Sequence, residues 1–213
     1  MQTEQFARAS SLTTLQAPAV VAASGSTPGV DILSLRSIAA AVLMALNTAG
    51  TNPTLAIKLQ HAQDGDIVTS VTPGSNTGNG TCTQVYGGAD SVAENITITF
   101  TSATAFGVTG SVSGAMAAGT VGTLYQSAIC EFMITAGSAA FVNGDTIVIV
   151  TTARTYADVG SGAFTGLTTG ASIQKLGLDL NRLGRFLRVN YTIGGTAFPG
   201  YTLGIALQSL PHG

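Results

Sequence analysis

Nine short runs rich in β-branched and aromatic residues, set apart by Gly, Asn, Pro and Ser clusters, leave this chain few folds to choose from. They are VDILSL (30–35), TLAIKLQH (54–61), NITITFTS (95–102), TAFGVTGSVS (104–113), CEFMITA (130–136), DTIVIVTT (145–152), SIQKLGLDL (172–180), RFLRVNYTI (185–193) and YTLGIALQS (201–209). Val, Ile, Thr, Phe and Tyr suit a pleated, half-buried surface, and breakers at this spacing predict an all-β sandwich or barrel. One segment resists. LRSIAAAVLMALNTA (35–49) has the Ala, Leu and Met content of a helix and no internal Gly or Pro. It lies between β segments, its ends offer no cap pair beyond Ser34 and Gly50, and a central strand buried on both faces also reads as an unbroken apolar run. A strand is the preferred reading.

TLAIKLQH leads to Asp64-Gly65, a strong hairpin turn signal, yet PGSNTGNGT follows where a partner strand is expected. A natural second arm, RTYADV, comes only at 154–159. With about 67–153 excised the hairpin would be whole, so the turn reads as opened by an insertion, which loop tips tolerate because their ends stay close. The inserted piece has turn signals of its own at Gly87-Gly88 and Asn143-Gly144. The expected organisation is a discontinuous host domain (30–73 with 154–213), an inserted small β-sandwich domain (74–153), and an irregular N-terminal arm (1–29) punctuated by Pro18, Gly25 and Pro28-Gly29.

Across 213 residues, 45% are hydrophobic, which is ample for a core, but only 8% are charged. A typical soluble domain has roughly 25%. The surface is therefore mostly Thr, Ser, Asn, Gln, Gly and Ala, and such a surface suits packing against neighbours in an assembly. Net charge is -2, and the densest basic group is Arg182, Arg185 and Arg188. That is too little to neutralise a phosphate backbone, so no nucleic-acid partner is expected. On a strand Arg185 and Arg188 point to opposite faces, so the trio does not form an anion site. No membrane partner is expected either, because the longest apolar run, AAAVLMAL (39–46), is far shorter than the ~20 residues a helical span needs. The N-terminal stretch carries Glu4 early and lacks a basic start, so it reads as an arm rather than a signal peptide. Cys82 and Cys130 lie in strand-like segments and are expected to be free, and with no CxxC or HxxxH spacing neither suggests a metal.

Chemistry is hard to place. Acid–base catalysis needs titratable groups paired in a pocket, and here Asp31, Asp64, Asp66, Asp90, Glu94, Glu131, Asp145, Asp158 and Asp179 are scattered. Asp64 and Asp66 fall in the turn, where Asp bonds the backbone. His61 alternates with Leu55, Ile57 and Leu59 as a packing residue, and His212 lies near the C-terminus. GxSxG is absent, and GVTGSVSG and GSGAFTG have the wrong spacing for phosphate loops. No catalytic residue, cofactor or metal is expected, and the sequons at Asn79, Asn95 and Asn190 carry no weight without a secretory signal.

TLAIKLQHAQDGD, RTYADV with GAFTG, GLDLNRLGRFLRVNYTIGGT and FPGYTLGIALQSLP, in that order, resemble a pattern common in structural proteins of tailed bacteriophages. There, an LxVKLQxSxDG strand is followed by a T-W/Y-x-DV strand, an L-D-L, an R-Y/F-L-R-V strand and a small-residue C-terminal strand. The inserted ENITITFTSATAFGVTGSVSGAMAAGTVGTLY and FMITAGSAAFVNGDTIVI look like a module that recurs in phage virion proteins. Together they cover most of residues 30 to 210. Tyr156 stands where Trp is usual, the turn is interrupted, and 39–46 is Ala-rich. The resemblance is to head decoration, or cement, proteins. It implies a jelly-roll-type β-sandwich, made in the host cytoplasm, that sits as a homotrimer on the outer capsid surface and bridges major capsid protein subunits. Phe6, Arg8, Leu12 and Leu15 of the arm would be its capsid or inter-protomer contacts. A rival reading, a tail or baseplate component or an Ig-like module binding host glycans, calls for exposed loop aromatics, with Tyr86, Tyr125 and Phe198 as candidates. A glycan-degrading enzyme would need two carboxylates facing one cleft.

Overall fold

The computed structural model describes residues 12–35, 38–65 and 67–209. Its strands, in chain order, are β1 (Leu12–Val21), β2 (Gly25–Ser26), β3 (Val30–Asp31), β4 (Ile38–Ala62), β5 (Val68–Pro73), β6 (Thr81–Gly87), β7 (Glu94–Phe100) and β8 (Ala105–Gly110). There follow β9 (Gly114–Ala115), β10 (Gly119–Thr120), β11 (Leu124–Gln126), β12 (Cys130–Thr135), β13 (Thr146–Thr151), β14 (Ala157–Ala163), β15 (Ala171–Asp179) and β16 (Phe186–Ser209). Among the described residues the only helical pieces are the 3-10 turns Leu33–Leu35 and Leu180–Arg182. The protein is all-β and sandwich-like, with two compact units: Met1–Gln63 with Tyr156–Gly213, and Asp64–Thr155.

The discontinuous unit is organised by two very long strands. β4 has 25 residues and β16 has 24, and they pair antiparallel from Ala39 opposite Ser209 to Ala62 opposite Phe186. The apolar run 39–46 is therefore strand, as the β context of the sequence favours. On the far side of β4 the chain lays down β15 against 38–46, a bridge from Leu167 to Leu55, and β14 against 58–61. On the far side of β16 it lays down β1, β2 and β3 in turn. Four chain segments thus form one antiparallel ribbon, and that ribbon is folded double. Away from the corner, odd-numbered side chains of β4 and β16 point inward, so Leu43, Ala45, Leu203 and Ile205 from one half share a core with Leu55, Ile57, Leu59, Leu187 and Val189 from the other. Each buried Leu, Ile or Val side chain among them contributes on the order of 1.5–3 kcal/mol of transfer free energy.

The fold line crosses both long strands where their register shifts between Gly194 and Tyr201. Opposite lie Gly50 (φ 106°) and Asn52 (φ 48°), while Gly195 has φ 115°. A methyl on Gly195 would stand 2.8 Å from the Asn52 carbonyl oxygen, and one on Gly50 would stand 2.6 Å from Pro199 Cα. The corner therefore needs glycine both for its left-handed backbone and for close approach.

β14 is the partner strand missing after TLAIKLQH: Ala157 lies opposite His61 and Asp158 opposite Gln60. Two expectations need correction. Residues 12–21 are not an irregular arm but strand β1, paired with β16. The unit boundaries fall at 63/64 and 155/156 rather than at 73/74 and 153/154. The reason is that β5 pairs with β13, and Arg154 donates its backbone N–H to the Ser91 carbonyl.

The second unit is itself a small two-sheet structure. One sheet runs β10-β8-β7-β13-β5 with β9 on β8, and the other runs β11-β12-β6. Alternating Ile96, Ile98 and Phe100 on β7, Ile147 and Ile149 on β13, and Cys130, Phe132 and Ile134 on β12 fill the core between them. Phe141 stacks on Phe100 at 3.7 Å, and Tyr125 on Phe132 at 4.6 Å.

Gly195→Ala should lower the unfolding free energy by on the order of 1–3 kcal/mol through left-handed strain, read as a lower urea midpoint. Gly177→Ala, where a methyl meets nothing within 4 Å, is the control expected to change little. An unshifted midpoint for the Gly195 variant contradicts the glycine-dependent corner.

Candidate interaction surface

The described residues use their titratable groups to hold turns and strand pairs in place. Glu94 is buried and accepts from the Ser113 hydroxyl (2.6 Å), the Val112 N–H (2.9 Å) and the Ser113 N–H (3.0 Å). This clamps the chain between β8 and β9. Burial alone pushes the carboxyl up, but these bonds bring it below the ordinary glutamate value. Asp145 does the same for the segment before β6, accepting from the N–H groups of Thr77, Gly78 and Val142. Its carboxyl is likewise held low by those bonds against a desolvation that raises it. Arg154 is buried and donates to the Gly88 and Gly87 carbonyls at 2.7 and 2.6 Å.

In the discontinuous unit, Arg185 pairs with Asp31 (2.8 Å), Arg182 with Asp179 (3.2 Å), and Arg188 bonds Gln60 (2.9 Å) and lies over the Tyr156 ring. The three arginines have separate partners. His61 is half-buried, and its Nδ1 accepts the Gly184 N–H. Asp64 is exposed, and Asp66 and His212 lie outside the described residues. Among the described residues no three His, Cys, Asp or Glu side chains come together to hold a metal ion. Cys82 and Cys130 are free thiols. Burial first and Cys130 second push Cys82 up to about 12, and burial pushes Cys130 up to about 11, so both stay protonated at neutral pH.

Of the expected contact residues, Phe6 and Arg8 lie outside the described residues. Leu12 begins β1 opposite Gln208. Leu15 is only 5% exposed and packs in the unit's own core, so it is not a surface contact. Tyr125 is likewise buried rather than an exposed loop aromatic, whereas Tyr86 is exposed.

What the sequence reading missed lies on the outer side of the folded ribbon. In the half built from β4 residues 54–62, the outward side chains form a polar network: Lys58 and Gln60 both reach Asp158 at 2.9 Å, and Arg188 reaches Gln60. In the other half they do not. Ile173 is 77% exposed, Val20 68%, Met44 51% and Leu46 47%. Cross-strand pairs place Ile173 beside Met44 and Leu46 beside Thr202, with Val20 next across. Pro18, Gly204 and Ala171 complete a shallow open groove of about 220 Å³ there. Lys175 and Asp179 are the charged residues in the four segments 12–21, 38–46, 171–179 and 201–208 that make this half. The signal was present in AAAVLMAL, which is apolar at even as well as odd positions, whereas KLQH is not. The arrangement can bury apolar area against another surface.

No family model and no curated protein matches the chain. Among solved structures, two crystal forms of Xanthomonas campestris FlgL, in space groups H3 and C2, are similar at 22% identity and a TM-score of 0.34. Each alignment covers 48% of this chain, and 34% and 32% of the respective FlgL chain, so the likeness spans about a third of those proteins. At that TM-score it carries no assignment.

Hydrogen bonds hold the folded Glu94 carboxyl below its ordinary value, so its contribution to stability is full above that value and lost as pH falls through the lower folded one. Glu94→Gln should cost about 1–3 kcal/mol at neutral pH and flatten the acid limb of a stability–pH profile. Superimposable acid limbs contradict the clamp.

Proposed function

We propose that the chain is a non-enzymatic virion component that decorates a bacteriophage capsid and stabilises it by bridging major capsid protein subunits on the outer surface. The observation that carries this reading is the outward apolar half-sheet on a chain with 8% charged residues. Exposed contiguous apolar area of this kind marks a protein–protein contact. The ordered TLAIKLQHAQDGD, RTYADV, RFLRVNYTI and YTLGIALQS motifs support placing that contact in a phage head. Cementing needs no chemistry: modest affinity at each of many symmetry-related positions sums to a large resistance against internal pressure. A net charge of -2 and the clamp roles of Glu94, Asp145 and Arg154 fit a protein that touches protein rather than nucleic acid. Among the described residues no helix is long and apolar enough to cross a membrane.

The test is the copy number of this chain relative to the major capsid protein in purified particles, by quantitative mass spectrometry. On the order of hundreds of copies per particle is expected of a protein following shell symmetry. A dozen or fewer moves the protein to the tail or baseplate and overturns the decoration reading.

A further inference from the structure

We propose that the outer face of the half-sheet formed by β15, β4, β16 and β1 is a self-association surface that packs against the same face of a second copy of this chain. The inference rests on reading the chain as an assembly protein, and it names the first partner of that assembly.

Three observations lead here. The first is an internal comparison. β4 and β16 each run through both halves of the ribbon, and at outward positions β4 reads Val42, Met44, Leu46 in one half and Thr54, Ala56, Lys58, Gln60 in the other. One strand in one solvent has no reason to switch from aliphatic to polar outside unless the aliphatic half is covered. The second is size. Four strands at ~4.8 Å spacing and about seven residues at ~3.3 Å rise make an apolar core on the order of 500 Å² per copy. That suits the centre of an interface burying ~800 Å² per partner.

The third is charge and the supply of alternatives. Residues 1–11 and 210–213 of this chain offer Met1, Phe6 and Leu210 as large apolar side chains, with Glu4 and Arg8 each two residues from Phe6. Such a segment would bring charges onto a face whose own charges, Lys175 and Asp179, both lie on the outer strand β15. A second copy brings Pro18, Val20, Val42, Met44, Leu46 and Ile173, with its own Lys175 and its own Asp179, the latter paired with Arg182, as the charges, so the face matches itself. Sheet faces stack ~10 Å apart with side chains interdigitating, and the groove at Gly204 beside the projecting Met44 and Ile173 supplies relief for that. A patch meeting its own copy is isologous, so the contact is two-fold. The homotrimer implied by the phage resemblance, and the contact with major capsid protein itself, would then use other surfaces.

The experiment is sedimentation of the full chain over a concentration series, with peroxide oxidation of Met44 followed in parallel by mass spectrometry. The expected result is a two-copy species, with Met44 oxidised more slowly as concentration rises. Ile173→Asp lies on an exposed edge-strand position and should weaken association at least about tenfold, a loss of ~1.4 kcal/mol. Thr192→Asp, exposed on the polar half, should leave it unchanged. If Ile173→Asp fails to fold, the concentration dependence of Met44 oxidation in the unaltered chain decides alone. A monomer at all concentrations, an assembly indifferent to Ile173→Asp, or Met44 protection independent of concentration each overturns the proposal; the last would give the face to a segment of the same chain. The outcome is separable from the decoration reading. A monomer present at hundreds of copies per particle would remove the two-fold contact and leave decoration standing, and a dimer present at a dozen copies would do the reverse.

Discussion

Everything in the discontinuous unit hangs on the β4–β16 ladder. Two strands of 25 and 24 residues cannot bury one face of a flat ribbon that long, because nothing lies opposite it. Folding the ribbon at its middle lets the inward face of one half serve as the partner of the other, and a single sheet becomes its own sandwich. The cost is concentrated at the corner, where Gly50, Asn52 and Gly195 take left-handed backbone and the register slips. The remaining strands follow as fringe: β14 and β15 trace one edge of the ladder, and β1 to β3 trace the other.

This arrangement also explains how a second unit can interrupt the first. β4 and β14 are antiparallel neighbours with Ala157 opposite His61, so the chain ends at 63 and 156 are held close by pairing that does not depend on what lies between them. The intervening 64–155 closes its own core around Phe100, Phe132 and Phe141, and pins its turns with Glu94, Asp145 and Arg154.

Much of this was legible in the residues. Short Val/Ile/Thr runs predict strands because alternation writes itself into sequence, and the orphaned Asp64-Gly65 turn pointed to RTYADV as the lost partner. The failures have physical causes. Residues 12–21 looked irregular because Pro18 and Ala-Val pairs are poor strand signals, but β16 offers them an edge, where proline is tolerated. β5 was given to the wrong unit because VTSVTP is a solvent-facing edge strand whose allegiance is decided by β13 far downstream. The clamps by Glu94 and Asp145 join residues up to 68 positions apart, which no local spacing announces. Most telling is AAAVLMAL: its apolar character at both parities announces burial on two faces, while among the described residues Met44 and Leu46 on the second face stay exposed. The proposed assembly role rests on that aliphatic half-face.

The central claim, that one continuous β4–β16 ladder holds both halves of the ribbon together, is tested most directly by native-state hydrogen exchange. The account predicts that amides of 40–46 and 203–207 and those of 55–61 and 187–193 are the slowest in the discontinuous unit and exchange with a common free energy, because the two halves share one core and open together. If one half exchanges through a separate, lower-energy opening while the other stays protected, the ribbon is two independent sheets and the account is wrong.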